Sequence, residues 1–291
     1  MPISVARPVF RSGPPPTVPG PCGTRIEIGE GMGRALPVVA ACAAALLAPA
    51  PGAAAHVPDD RIVLRPGDGI TFTAADPAPG WCSVAAVGHD RAGRLVAITA
   101  GHCRQTGSAA VWKAGEQSRG PVGTETSVHS PGSVDWLGIP TDAVPDYAVL
   151  QLDETRVRGS NTSAPDADGE VVVLESIGSL PDGDQDIGRH CAAGHTTGIA
   201  CGPAPLVDTL DVAGTRDVLV NPNSVNSWLV MQQGDSGGPL ARTDTHEWLG
   251  LAVGYRPNDV RFAVYQRADR IIEDLDARGG IGAGFTLVCT P

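Results

Sequence analysis

Positive charge is scarce in this sequence. Its 21 lysines and arginines face 32 aspartates and glutamates, a net charge of −11, and Lys113 is the only lysine. A surface of that sign repels phosphate backbones and anionic headgroups, which argues against nucleic acid and an anionic membrane as partners. The shortage of lysine beside arginine reads as coding bias, without functional content. Long apolar runs are missing as well. The stretch Ala35–Ala48 is too short and too alanine-rich to cross a bilayer, so no stable membrane insertion is expected. It follows Arg34 and leads into Pro51-Gly52-Ala53-Ala54-Ala55, the pattern of a secretory signal peptide over residues 32–55, cut after Ala55. Met32 is then the sensible start, and the Pro/Gly-rich residues 1–31 are either an unusual leader or untranslated. Val39-Ala40-Ala41-Cys42 loosely resembles a lipoprotein processing site, but the apolar run continues past Cys42, which makes lipidation the minor reading. An internal repeat and a long helical pattern in the middle of the chain are also absent.

What is present is strand-like. The chain has 291 residues, 42% of them hydrophobic, enough for one large all-β domain or two small barrels sharing a cleft. Apolar runs of strand length recur at Ile70–Thr73, Cys82–Val87, Leu95–Ala100, Ala148–Leu152 and Val171–Leu174. Further along come Leu206–Val212, Val218–Val220, Trp228–Met231, Leu249–Val253 and Phe262–Tyr265. Gly, Pro, Asp and Asn punctuate them, with turns expected at Asp90–Gly93 and Ala213–Arg216. Many short strands with punctuated turns predict barrels or a sandwich. One helix is predicted, Ala268–Arg278, with Ile271, Ile272 and Leu275 on one face, Asp269 early, Arg278 late and Gly279-Gly280 as a stop.

The chemistry centres on Gly234-Asp235-Ser236-Gly237-Gly238-Pro239. Glycines around a serine let neighbouring N–H groups converge on one spot, so Ser236 can attack a carbonyl while Gly234 and Ser236 N–H hold the oxyanion. A serine hydroxyl is a weak nucleophile without a base, and a base needs an orienting acid. Thr99-Ala100-Gly101-His102-Cys103 closes an apolar strand and supplies the base; Asp146 opens the strand Tyr147-Ala148-Val149-Leu150 and supplies the acid. Asp135, Asp142 and Asp153 compete for that role, and Asp146 is preferred because it directly precedes its strand.

The order His102, Asp146, Ser236, with TAGHC, DYAVL and GDSGGP around them, resembles the trypsin/chymotrypsin family of serine endopeptidases, and within it the secreted bacterial members. The resemblance implies two six-stranded antiparallel β-barrels with a C-terminal helix over residues 56–291, the active site at their interface. It implies an exported endopeptidase, secreted or held in the cell envelope, that cleaves a polypeptide substrate without cofactor or metal. It implies the disulfides Cys82–Cys103 and Cys191–Cys201, leaving Cys289 as a free thiol, an intermolecular link or a sign of a wrong pairing. Asp235 resembles the aspartate that shapes the oxyanion loop by pairing with a buried cation, here expected to be an internal arginine. Arg61-Ile62-Val63 only superficially resembles an activation cut, because Leu64-Arg65 replaces the usual glycines. Val230 stands where basic-specific members keep an aspartate, so with Met231 it points to an apolar or small P1 side chain. Val253 and Gly254, on the strand expected to bind substrate backbone, and Gln233 complete the substrate-binding set. Ala252-Val253-Gly254 departs from the usual Ser-Trp-Gly, which supports an alternative: a weak or inactive protease-like protein that binds a partner protein.

Other readings are poorer. Gly234–Gly238 also fits the serine turn of α/β-hydrolases, but those run serine, acid, histidine and need a helix after the serine. His190, Cys191, His195 and Cys201 have a composition suited to zinc, yet in an exported chain a disulfide loop is the expectation. His89, His129 and His246 read as solvated, and the sequon Asn161-Thr162-Ser163 is given no weight.

Overall fold

The computed structural model describes residues 59–75, 80–103, 109–130, 144–180, 188–203, 223–256 and 259–289. The leader 1–31, the signal segment 32–55, the strands at Leu206–Val212 and Val218–Val220, the turn Ala213–Arg216, and Asp135 and Asp142 lie outside them.

Two antiparallel sheets dominate. The first has eight strands in the order Thr286–Leu287, Ala86–His89, Leu95–Thr99, Tyr147–Leu152, Gly123–His129, Ala110–Lys113, Gly69–Thr71 and Cys82–Ser83. Its centre is Leu95–Thr99, every residue of which is buried, so the strand reads as a continuous apolar run rather than an alternation. The second has seven strands: Gly198–Gly202, His190–Gly194, Pro239–Arg242, Glu247–Arg256, Asp259–Arg267 and Ser224–Ser227, with Ser176–Ile177 parallel to Glu247–Arg256. A small parallel pair joins Ile62–Leu64 to Val157–Gly159. The strand counts exceed six and six partly because the short strands Thr286–Leu287 and Ser176–Ile177 join the two sheets, one each.

The helix forms over Ala268–Arg278, where the periodicity places it, burying Ala268, Ile271 and Leu275. Burying an Ile or Leu side chain contributes about 1.5–3 kcal/mol. Gly279 ends it at φ 72°, its N–H closing on Leu275 O at 3.0 Å. Tyr147 Oη donates to Asp274 Oδ2 at 2.7 Å, tying the helix to the first sheet. The glycine-rich tail then returns to that sheet as Thr286–Leu287, paired with His89 and Gly88. Cys289 is itself disulfide-bonded, which removes the free-thiol reading.

Two strands expected from apolar runs do not form. Val171–Leu174 contributes only a bridge between Thr162 and Val173, and Val171 is exposed. At Trp228–Met231 the strand lies earlier, at Ser224–Ser227, whose four residues are buried despite two serines and an asparagine. Burial there follows from pairing with Ala263–Gln266, not from side-chain polarity. Among the described residues no helix is long and apolar enough to cross a membrane.

Candidate active site

Thr99 pairs with Ala148 in the register of two neighbouring strands, which brings the residues just past one strand end beside those just before the other. His102, in the single helical turn Gly101–Cys103, therefore meets Asp146. Its backbone N–H donates to Asp146 Oδ1 at 2.9 Å, and its Nδ1 lies 2.6 Å from Oδ2. A carboxylate only accepts, so Nδ1 carries the proton and Nε2 is left as an acceptor. Asp146 is 2% exposed, whereas 38% of the His102 side chain reaches solvent. A buried carboxylate behind an accessible imidazole can hold a base in one orientation. Asp153 lies beyond the far end of the same strand, bonded to Thr155.

Sequence reasoning missed Gln266. Fully buried on the second sheet, it accepts the Asp146 N–H at Oε1, 3.2 Å away, and donates from Nε2 to Asn223 O. No local motif signals a residue 120 positions distant.

Ser236 comes from the second sheet, in the turn before Pro239–Arg242. Ser83 N–H donates to Ser236 O at 2.7 Å, and Cys103 Sγ lies 3.8 Å from the same oxygen. The turn is thus pressed on the histidine loop, which the Cys82–Cys103 disulfide fastens to Ser83's strand. Gly237, at φ 87°, has room for no side chain: a Cβ would stand 2.3 Å from both Ser83 O and Thr99 Oγ1. Among the described residues Ser236 Oγ makes no hydrogen bond, and no group takes the N–H of Gly234 or Ser236.

Asp235 departs from the expected buried ion pair. Among the described residues no arginine faces it. Its carboxylate accepts four hydrogen bonds instead: Thr196 N–H at 2.8 Å, Thr197 N–H at 2.9 Å, Gln232 N–H at 2.8 Å, and the Thr197 hydroxyl. Arg61 pairs with Asp59, and Ile62 N–H is committed to Arg156 O at 2.7 Å, away from Asp235.

Val230 and Met231 line a small cavity together with Ala252, Asp235 and Tyr265. The Tyr265 hydroxyl is buried there without a partner among the described residues, and burial, then the Asp235 charge, push its pKa up. Val253 is buried, Gly254 half-buried beside an irregularity in the strand pairing, and Gln233 exposed. Cys191 and Cys201 are joined as a disulfide across paired strands, leaving no thiolate for zinc, and no metal-holding cluster occurs among the described residues. His129 is not simply solvated: it stacks on Tyr147 at 4.8 Å and meets Ser127 Oγ at 2.7 Å. His89 is exposed, and His246 is half-exposed beside Glu175. Asn161 is buried and bonded to Val87 O and Val288 O, so its amide is a structural tie.

No protein-family model and no curated protein sequence matches the chain. Solved structures do. A Nocardiopsis protease is similar at 19% identity and TM-score 0.52, over 73% of this chain and 96% of its own. Thermobifida fusca protease A follows at 18% and 0.52, over 79% and 100%. A Cellulomonas bogoriensis chymotrypsin gives 20% and 0.51, over 79% and 100%. The fold is that of the chymotrypsin-like serine proteases. At these identities the likeness concerns the architecture.

Proposed function

We propose that this chain is an exported serine endopeptidase that uses Ser236, His102 and Asp146. The observation that carries the reading is the double grip of buried Asp146 on His102, at N–H and Nδ1, with the Ser236 turn pressed on the same loop. His102 Nε2 takes the Ser236 Oγ proton as Oγ bonds to the scissile carbonyl carbon; the resulting oxyanion sits against Gly234 and Ser236 N–H. The tetrahedral species collapses, the C–N bond breaks, and the leaving amine receives the proton from Nε2. Water then repeats the sequence on the acyl-enzyme, releasing the acid and restoring Ser236. The apolar lining from Val230, Met231 and Ala252 suits a small or apolar P1 side chain. Asp235 does not convert that pocket to a basic preference, because its oxygens are already engaged. The similar solved structures are named as proteases, which fits the same reading.

The purified chain should react with a fluorophosphonate probe, and Ser236→Ala should abolish the labelling. A folded, disulfide-intact sample that stays unlabelled would favour the second reading, a protease-like binding protein. The observation on its side is that Ser236 Oγ and His102 share no hydrogen bond here, although such bonds often tighten only around substrate.

A further inference from the structure

We infer that Thr196 is a positioning residue for the oxyanion site, and that the hairpin turn carrying it does the work expected of a buried cation. The inference rests on the endopeptidase reading above. Thr196 Oγ1 donates to Gln233 O at 2.7 Å. That carbonyl belongs to the same planar, trans peptide unit as the Gly234 N–H, so the two point in opposite directions. Holding the oxygen on one side aims the N–H at the other, where no described group takes it. Gly234 has φ 101°, and a Cβ there would stand 2.3 Å from Thr196 Oγ1, so the turn closes on the glycine directly.

The next peptide is gripped as well. Ser83 Oγ donates to Gly234 O at 2.9 Å and accepts the His195 N–H at 2.9 Å. Residues 195, 196 and 197 thus touch consecutive parts of the loop: His195 through Ser83, Thr196 at Gln233, and Thr196 and Thr197 at the Asp235 carboxylate. The turn joins the strands His190–Gly194 and Gly198–Gly202, which the Cys191–Cys201 disulfide cross-links. A stiff, cross-linked hairpin supplies N–H and O–H donors to Asp235 where the sequence suggested an arginine. Neutral donors can satisfy a carboxylate in this way when several converge on it.

Thr196 is exposed, so Thr196→Val keeps the shape of the side chain, removes only the hydroxyl, and leaves the core untouched. Its effect is read on the full chain, as the rate of fluorophosphonate labelling and as kcat and KM on a peptide amide. Loss of an oxyanion donor costs about 10²–10³ in kcat, and a donor left in place but loosely aimed should cost less, roughly 10- to 100-fold. The expected pattern is that fall in kcat and labelling rate, with KM and melting temperature nearly unchanged, and recovery in Thr196→Ser. Wild-type rates in Thr196→Val overturn the inference, as does an equal loss in Thr196→Ser, which would implicate the methyl group. A wild-type chain that does not label overturns the endopeptidase reading instead, so the two failures are distinct.

Discussion

Which imidazole nitrogen carries the proton decides whether His102 can act as a base. Both Asp146 oxygens accept from His102, one from its N–H and one from Nδ1, so in the neutral imidazole Nε2 is the acceptor. Asp146→Asn keeps the size of the side chain and puts an NH2 group where an acceptor is needed, so the wrong tautomer is favoured. Labelling of Ser236 is expected to slow by about 10⁴-fold while the thermal unfolding transition stays in place. The candidates His102, Asp146 and Ser236 can be picked out in the sequence because each stands in a short stretch whose chemistry is local. Gln266 and Thr196 cannot. Each acts on a backbone group brought near by a different strand, and nothing beside either of them in the chain announces the contact.

At the scale of the element, Asp90 shows how one residue organises a turn and a tail. Its Oδ1 accepts the N–H of Ala92 and Arg94 within the hairpin, and its Oδ2 meets Arg94 and the N–H of Gly282 from the tail. Burial alone would push its pKa up; the hydrogen bonds from Arg94, Gly282 and Ala92 outweigh it and hold the carboxyl below its ordinary value. A lowered folded-state pKa means the contribution is full above the unfolded value and is lost as pH falls through the folded one. Asp90→Asn is therefore expected to lower stability by about 1–3 kcal/mol at neutral pH. The gap from wild type should shrink below about pH 4, as thermal unfolding across a pH series would read. The turn at Asp90–Gly93 and the helix were legible, since proline-free periodicity and Gly/Asp punctuation are local signals. Ser224–Ser227, His190–Gly194 and Gly198–Gly202 were not, because small and polar residues become strands here only through their neighbours in the sheet.

Across the whole molecule, the candidate site exists only where the two sheets meet: His102 and Asp146 belong to the first, Ser236 and its clamp to the second. Ser83 and Gln266 reach from each sheet to the other. We propose that no activation cut at Arg61 is needed, since Ile62 is held in a strand pair and the Asp235 carboxylate takes its hydrogen bonds from nearby N–H and hydroxyl groups. We propose that export cleaves the chain after Ala55. Mass spectrometry of the secreted protein should then find His56 at its N-terminus, and Arg61→Ala should label at the wild-type rate. Labelling that requires Arg61 would mean that cleavage there matters after all.

The sequence by itself determined the candidate residues and their order, an all-β class and one helix, since each rests on short-range pattern. Only the tertiary structure decided which groups hydrogen-bond Asp235, where the tail goes, and which residues hold the loop around Ser236. Those outcomes depend on contacts between distant segments, 37 positions apart for Thr196 and Gln233 and 192 for Asp90 and Gly282, where side-chain chemistry constrains what can bond but not what will be near.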